Sequence, residues 1–256
     1  MQRRSYHHDD LSLSYLDMGG DGDPLIALPA HWMEARTFLP LSAALAPEWR
    51  VIALDQRGHG YSDHAPSYRR DDYLGDIAAL CEHLSLRSPV LLGNSLGGVN
   101  AYQYAARRPD RVRALVVEDI GAVVADDQSF VLAWAGTFPT RDELAARIGP
   151  RLLPYLTDAF RETRDGWRLA FEPGEMVASQ RELNGDHWAD WLASTCPALL
   201  IRGRDSRLTR ADHLEEMAAR RPGTRLVALD GGHVVHADNP DAFGKLVRSF
   251  LRDLPR

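Results

Sequence analysis

Residues Val90 to Val99 read V-L-L-G-N-S-L-G-G-V. A short apolar run, Val90-Leu91-Leu92, stops at Gly93, and Ser95 follows between Gly93 and Gly97. Val99 to Arg108 is alanine-rich and lacks Gly and Pro, which reads as a helix. The order is therefore strand, sharp turn, helix, with a serine at the apex. The spacing Gly93-Asn94-Ser95-Leu96-Gly97 is that of a G-x-S-x-G nucleophile elbow. A serine held on so tight a turn strains its backbone, and its neighbours two residues away need to lack side chains. The helix that starts there turns free N–H groups and the positive end of its dipole toward any negative charge that develops.

Working outward from the elbow, apolar strands alternate with helical patterns. Leu11–Leu16 alternates as a half-exposed strand, while Leu25–Leu28, Arg50–Leu54 and Val112–Val117 read as buried strands. Helical spacing covers Glu34–Leu45, despite Pro40, and Arg70–Leu86. Met1–Asp10 is polar and suggests no element. Strands that are apolar on both faces imply a parallel sheet covered by helices on both sides. In such sheets the ligand lies at the carboxyl ends of the strands. Ser95 stands at such an end, with the His31 loop, the Asp55–Ser62 loop and Glu118-Asp119.

The alternation breaks from Gly121 to Trp191. This stretch holds four of the six tryptophans, Trp134, Trp167, Trp188 and Trp191, and has no strong strand signal. It reads as a mostly helical insertion that covers the site, or as aromatic packing that glues helices to the main domain. After Cys196 the pattern resumes with strands at Ala198–Ile201 and Arg225–Leu229 and helices at Arg210–Arg220 and Pro240–Leu251.

Composition narrows the function. The chain has 256 residues, 45% hydrophobic and 26% charged, with a net charge of -6. That argues against nucleic-acid binding and against attraction to anionic membranes. No apolar run approaches the ~20 residues of a membrane helix. Arg3-Arg4 has no apolar segment behind it, so no export signal is read there. The two cysteines, Cys81 and Cys196, fit buried free thiols in a reducing cytoplasm better than a disulfide.

A serine needs a base, and ten histidines are available. His233 follows a strand end and two glycines that let the loop bend its imidazole toward a neighbouring strand end. His236 is its rival, with a packing role as the alternative. The two could share a metal, but no third ligand is evident.

With G-N-S-L-G-G at Gly93–Gly98, G-H-V-V-H at Gly232–His236 and D-x-R-G-x-G-x-S at Asp55–Ser62, the chain resembles the α/β-hydrolase fold superfamily, as a serine esterase-like member. The resemblance covers essentially the whole chain. It implies a mostly parallel central sheet flanked by helices, with a helical lid inserted after the sixth strand. The core would then comprise 1–120 and 193–256, with the lid at 121–192.

The resemblance implies a Ser-His-acid triad, and two acids compete for the third place. Many relatives carry the acid in a G-x-x-D setting after the lid. Here that position is Ser206, with Asp205 one residue early. Others carry it where Asp119 stands, at the end of the strand after the elbow helix. Asp119 is the expected acid, Asp205 the alternative and Glu118 a remote third. If Asp205 is not the acid, it is expected to cap the next helix or to pair with Arg202, Arg204 or Arg207.

The oxyanion hole departs from the pattern. Relatives usually carry His-Gly after the strand that ends at Leu28; this chain has Pro29-Ala30. Alignment on Phe38 assigns the two backbone donors to His31 and Leu96. Trp32, Asn94, Trp134 and Val234 are the expected pocket residues. Arg57 and His59 are read as loop stabilisers.

Serine at the elbow argues against dehalogenase and epoxide-hydrolase chemistry, which resembling enzymes run with aspartate. The expected activity is acyl transfer to water from a small carboxylic ester or lactone, with no cofactor or metal. The alternatives are carbon–carbon bond hydrolysis or perhydrolysis on the same triad, or a catalytically weak scaffold that binds a small ligand.

Overall fold

Eight of the strands join in one sheet in the computed structural model, which describes residues 1–255. The first half of the chain supplies β1 (Gln2–His8), β2 (Leu11–Asp17), β3 (Asp23–Leu28), α1 (Leu39–Leu45), β4 (Trp49–Leu54) and α2 (Arg70–His83). Next come β5 (Val90–Asn94), α3 (Leu96–Arg107) and β6 (Ala114–Glu118). A long insertion follows, built from β7 (Val123–Val124), α4 (Arg141–Ile148), α5 (Leu153–Leu156), β8 (Phe160–Thr163), β9 (Gly166–Leu169), α6 (Pro173–Leu183), β10 (Gly185–Asp186) and α7 (Trp188–Ala193). The chain ends with β11 (Ala198–Gly203), α8 (Ala211–Arg220), β12 (Thr224–Leu229), α9 (Val235–Asp238) and α10 (Pro240–Arg252).

The sheet order is β1-β2-β4-β3-β5-β6-β11-β12. Only the β1–β2 and β2–β4 pairs are antiparallel; the rest run parallel. Two-residue alternation sends Ile26, Leu28, Ile52, Leu91, Leu115 and Leu200 into one core, under α2, α3 and the insertion. Leu25, Ala27, Val51, Leu92, Val116 and Ile201 point the other way, against α1 and α10. The chain reverses direction across the sheet between β3 and β5, which pair directly, Leu28 opposite Gly93. The loops leaving these two strands diverge there, and this is where an open parallel sheet forms its crevice.

Two sequence expectations change. Gln2–His8, polar in sequence and assigned no element there, is an edge strand; Tyr6 alone is buried, so its alternation carries a single apolar residue. Glu34–Leu45 is not one helix: a single 3-10 turn, Ala35–Phe38, precedes α1, whose first turn accommodates Pro40. The insertion carries two short strand pairs beside its helices, β7 with β10 and β8 with β9. These pieces are two to four residues long, too short to show a period. Trp134, Phe171 and Trp191 are buried and continue the α2–α3 core into the insertion. No helix among the described residues is long and apolar enough to cross a membrane.

Candidate active site

Ser95 sits between β5 and α3 with φ 53° and ψ -116°, a conformation that non-glycine residues rarely adopt. The turn is this tight because Gly93 and Gly97 let backbone approach backbone. A Cβ on Gly93 would run into the Gly97 carbonyl, and one on Gly97 into the Leu28 carbonyl. The Ser95 N–H donates to Glu118 O at 3.1 Å, and Ser95 O accepts from Val99 N at 3.1 Å, which starts α3. Leu96 is the first helical residue and is fully buried. Its N–H has no acceptor one turn back within the helix.

Asp119 follows β6 directly, fully buried, with φ 49°. Its carboxylate is held from three sides. Oδ1 accepts the Gly203 N–H at 3.0 Å. Oδ2 accepts the Ser206 hydroxyl at 2.5 Å and lies 2.8 Å from His233 Nδ1. The Thr209 hydroxyl donates to the Asp119 carbonyl at 2.8 Å. An imidazole bonded this way carries its proton on Nδ1 and keeps an Nε2 lone pair free to take another. His233 and Ser95 line the same cavity.

The His233 turn is fixed by its surroundings. Asn94 Nδ2 donates to the His233 carbonyl at 3.0 Å. Asp238 accepts the Gly232 N–H at 2.6 Å and the Tyr155 hydroxyl, from α5, also at 2.6 Å. Burial, reinforced by the Asp238 carboxylate, pushes the Tyr155 phenol up to about 12, so it stays a donor.

Asp205 is exposed and lines the cavity. Its N–H donates to Gly231 O at 3.0 Å, and its carboxylate neither meets His233, nor caps α8, nor pairs with a nearby arginine. The residue that sequence reasoning missed is Ser206. Its hydroxyl donates to Asp119, at the end of the neighbouring strand. The clue was its position three residues after Gly203. His236 turns away to Glu118, with Nδ1 2.7 Å from Oε2, so it does not share a site with His233. Among the described residues, no group of three or more His, Cys, Asp and Glu residues is placed to hold a metal.

The segment after β3 passes beside the elbow. Pro29 cannot donate, and its carbonyl accepts from Gln56 Nε2 at 2.7 Å. His31 is buried, with Nε2 2.8 Å from Ser179 Oγ and Nδ1 unpartnered. Burial lowers its pKa well below the usual histidine value, and the Arg70 guanidinium adds to the effect, so the ring is neutral. Trp32 next to it has φ 71°. Trp32, Ser95 and Asp119 are three of the five non-glycine residues with positive φ among the described residues, so backbone strain gathers at this site.

The cavity has a volume of about 1450 Å³. His31, Trp32 and Val234 line it. Asn94 and Trp134 do not: Asn94 is spent on the His233 turn, and Trp134 stands behind Trp32, edge to face at 5.5 Å. Val123, Phe130 and Leu208 form its outer wall, each about half exposed. Arg57 and His59 stay out of the lining. Arg57 bonds Asp76 at 2.7 Å and 2.8 Å, and His59 Nδ1 bonds the Arg57 carbonyl at 2.9 Å.

A sheet of this order with a serine on such a turn defines one class of enzyme, the α/β hydrolases. The profile of the alpha/beta hydrolase family matches residues 20–246, and the chain belongs to that family. It is 28% identical over 253 residues to the 2-(acetamidomethylene)succinate hydrolase of Mesorhizobium japonicum, covering 91% of this chain and 89% of that one. A crystal structure of E-2-(acetamidomethylene)succinate hydrolase superposes with a TM-score of 0.88 at 26% identity, covering 98% and 99% of the two chains. The enol-lactonase of Burkholderia xenovorans shares the fold, with a TM-score of 0.83 at 22% identity over 98% of this chain and 100% of that one.

Proposed function

We propose that this enzyme hydrolyses carboxylic esters or lactones through an acyl-enzyme on Ser95, with His233 as base and Asp119 as the acid that orients it. The observation that carries the reading is the 2.8 Å contact between His233 Nδ1 and Asp119 Oδ2, in a cavity that Ser95 also lines. His233 takes the Ser95 proton as the hydroxyl attacks the carbonyl, and returns it to the leaving oxygen. The backbone N–H groups of Leu96 and His31 stabilise the oxyanion. The insertion, residues 121–192, acts as the lid, and Trp32 and Val234 contact the substrate. The free thiols Cys81 and Cys196 support a cytoplasmic setting.

A second reading is hydrolysis of an acylated, carboxylate-bearing substrate such as 2-(acetamidomethylene)succinate. Its support is the similarity to that hydrolase and two cavity-lining arginines, Arg151 and Arg207, that make no ion pair among the described residues. Carbon–carbon bond hydrolysis on the same triad is a further alternative; perhydrolysis and a weak ligand-binding scaffold have no such support.

The deciding experiment is labelling with a fluorophosphonate, followed by a panel of aryl esters, lactones and 2-(acetamidomethylene)succinate. The protein should take one label, and Ser95→Ala should take none. An unlabelled parent protein rules the mechanism out.

A further inference from the structure

Glu118 and Asp119 are consecutive carboxylates at the end of β6, and each holds a histidine of the 231–238 segment. Asp119 faces the cavity through His233. Glu118 faces the opposite side of the strand end and is fully buried. Its Oε2 lies 2.7 Å from His236 Nδ1, and its Oε1 accepts the His236 backbone N–H at 2.9 Å. On the far side of the ring, His236 Nε2 lies 2.7 Å from Thr37 Oγ1. Phe38 stacks on the imidazole at 4.6 Å, and Phe243 meets it edge-on at 5.8 Å. None of the three polar residues lines the large cavity.

Every polar atom in this group has a partner. The carboxylate accepts the Nδ1 proton, so a neutral ring accepts the Thr37 hydroxyl at Nε2, and a protonated ring donates to it. Burying a carboxylate and an imidazole costs more than burying two apolar side chains of the same size. What the pair adds is direction, because each bond has a fixed geometry. The three residues come from three places that matter. Glu118 precedes Asp119, His236 lies three residues after His233, and Thr37 sits in the 3-10 turn that follows the His31 loop.

We propose that Glu118, His236 and Thr37 are positioning residues: a buried acid–histidine pair capped by a half-buried hydroxyl, a brace that locks the acid, the base and the oxyanion loop of the active site into one unit. The inference rests on the serine-hydrolase reading above. It accounts for two consecutive acids and two histidines where the chemistry uses one of each. Substrate never touches the brace, so its loss shows in the chemical step and not in binding.

The test is the kinetics of fluorophosphonate labelling at Ser95 by intact mass, which separates kinact from KI. Thr37→Val, nearly the same shape, should lower kinact about tenfold with KI within about twofold, and Thr37→Ser should restore kinact to within about twofold of the parent. Equal kinact in Thr37→Val and the parent overturns the proposal, even where the melting temperature falls. If the parent takes no label, it is the serine reading that fails. Amide hydrogen exchange at Gly232, Ala237 and Asp238, whose N–H groups are bonded within the His233 turn, then decides the brace: about tenfold faster exchange in Thr37→Val supports it, and unchanged exchange overturns it.

Discussion

Asp119 fixes more than the position of His233; it fixes its tautomer. Gly203 N–H demands an acceptor at Oδ1, so the acid has one way to sit. In Asp119→Asn the amide oxygen takes that place, and the NH₂ group turns toward His233 Nδ1 and the Ser206 hydroxyl. An NH₂ donor pushes the imidazole proton to Nε2, where it blocks transfer from Ser95. Turnover should fall about 10³–10⁴-fold with little change in KM. Asp205→Asn should keep turnover within about threefold, because that carboxylate makes no bond to the base. Steady-state kinetics of the two variants on one aryl ester settle the acid, and the reverse ranking would move it to the loop after β11.

At the scale of elements, the elbow depends on two close backbone approaches that a single methyl would block. Gly97→Ala places its Cβ against the carbonyl of Leu28 on β3, where neither strand nor helix can give way. The variant should lose about 3 kcal/mol of stability and its activity together. A thermal midpoint within 1–2 °C of the parent, expected only for a loss under about 1 kcal/mol, would show that α3 can shift after all. The same geometry explains what the sequence disclosed. A two-way apolar strand, Gly93 and Gly97 around Ser95, and an alanine-rich helix all encode one turn locally, so β5, Ser95 and α3 were legible. The pair of histidines three residues apart was legible too. The choice between Asp119 and Asp205 was not, because it depends on how β6, β11 and the turn after β12 meet in space. Ser206 stayed hidden for the same reason: a hydroxyl that supports an acid 87 residues away leaves no periodic trace. β1 and the short pairs of the insertion are made by tertiary pairing and not by local pattern.

Across the whole molecule, buried ionisable groups near the site set opposing responses to pH. Burial raises the Glu34 carboxyl to about 7 against the pull of its Arg161 partner. Its folded pKa exceeds the ordinary 4.5, so the folded state holds the proton longer, and this group makes stability fall as pH rises between about 4.5 and 7. His59 works the other way. Burial lowers it to about 4 from 6.5, so the unfolded chain takes the proton first and stability falls as pH drops through that window. His31, also lowered by burial, adds to the histidine side. Between pH 7.5 and 5 the Glu34 and His59 contributions are each about 2 kcal/mol and largely cancel. Removing either one should therefore tilt the profile. In Glu34→Gln the melting temperature should drop about 5 °C more than in the parent on going from pH 7.5 to 5, and in His59→Gln it should drop about 5 °C less. The comparison within each variant matters, because Glu34→Gln also leaves Arg161 without its partner at every pH. Scanning calorimetry of the three proteins at both pH values reads the tilt. Parallel profiles would mean that the Glu34 carboxyl and the His59 ring have the same pKa folded and unfolded, and that water reaches these groups despite their burial.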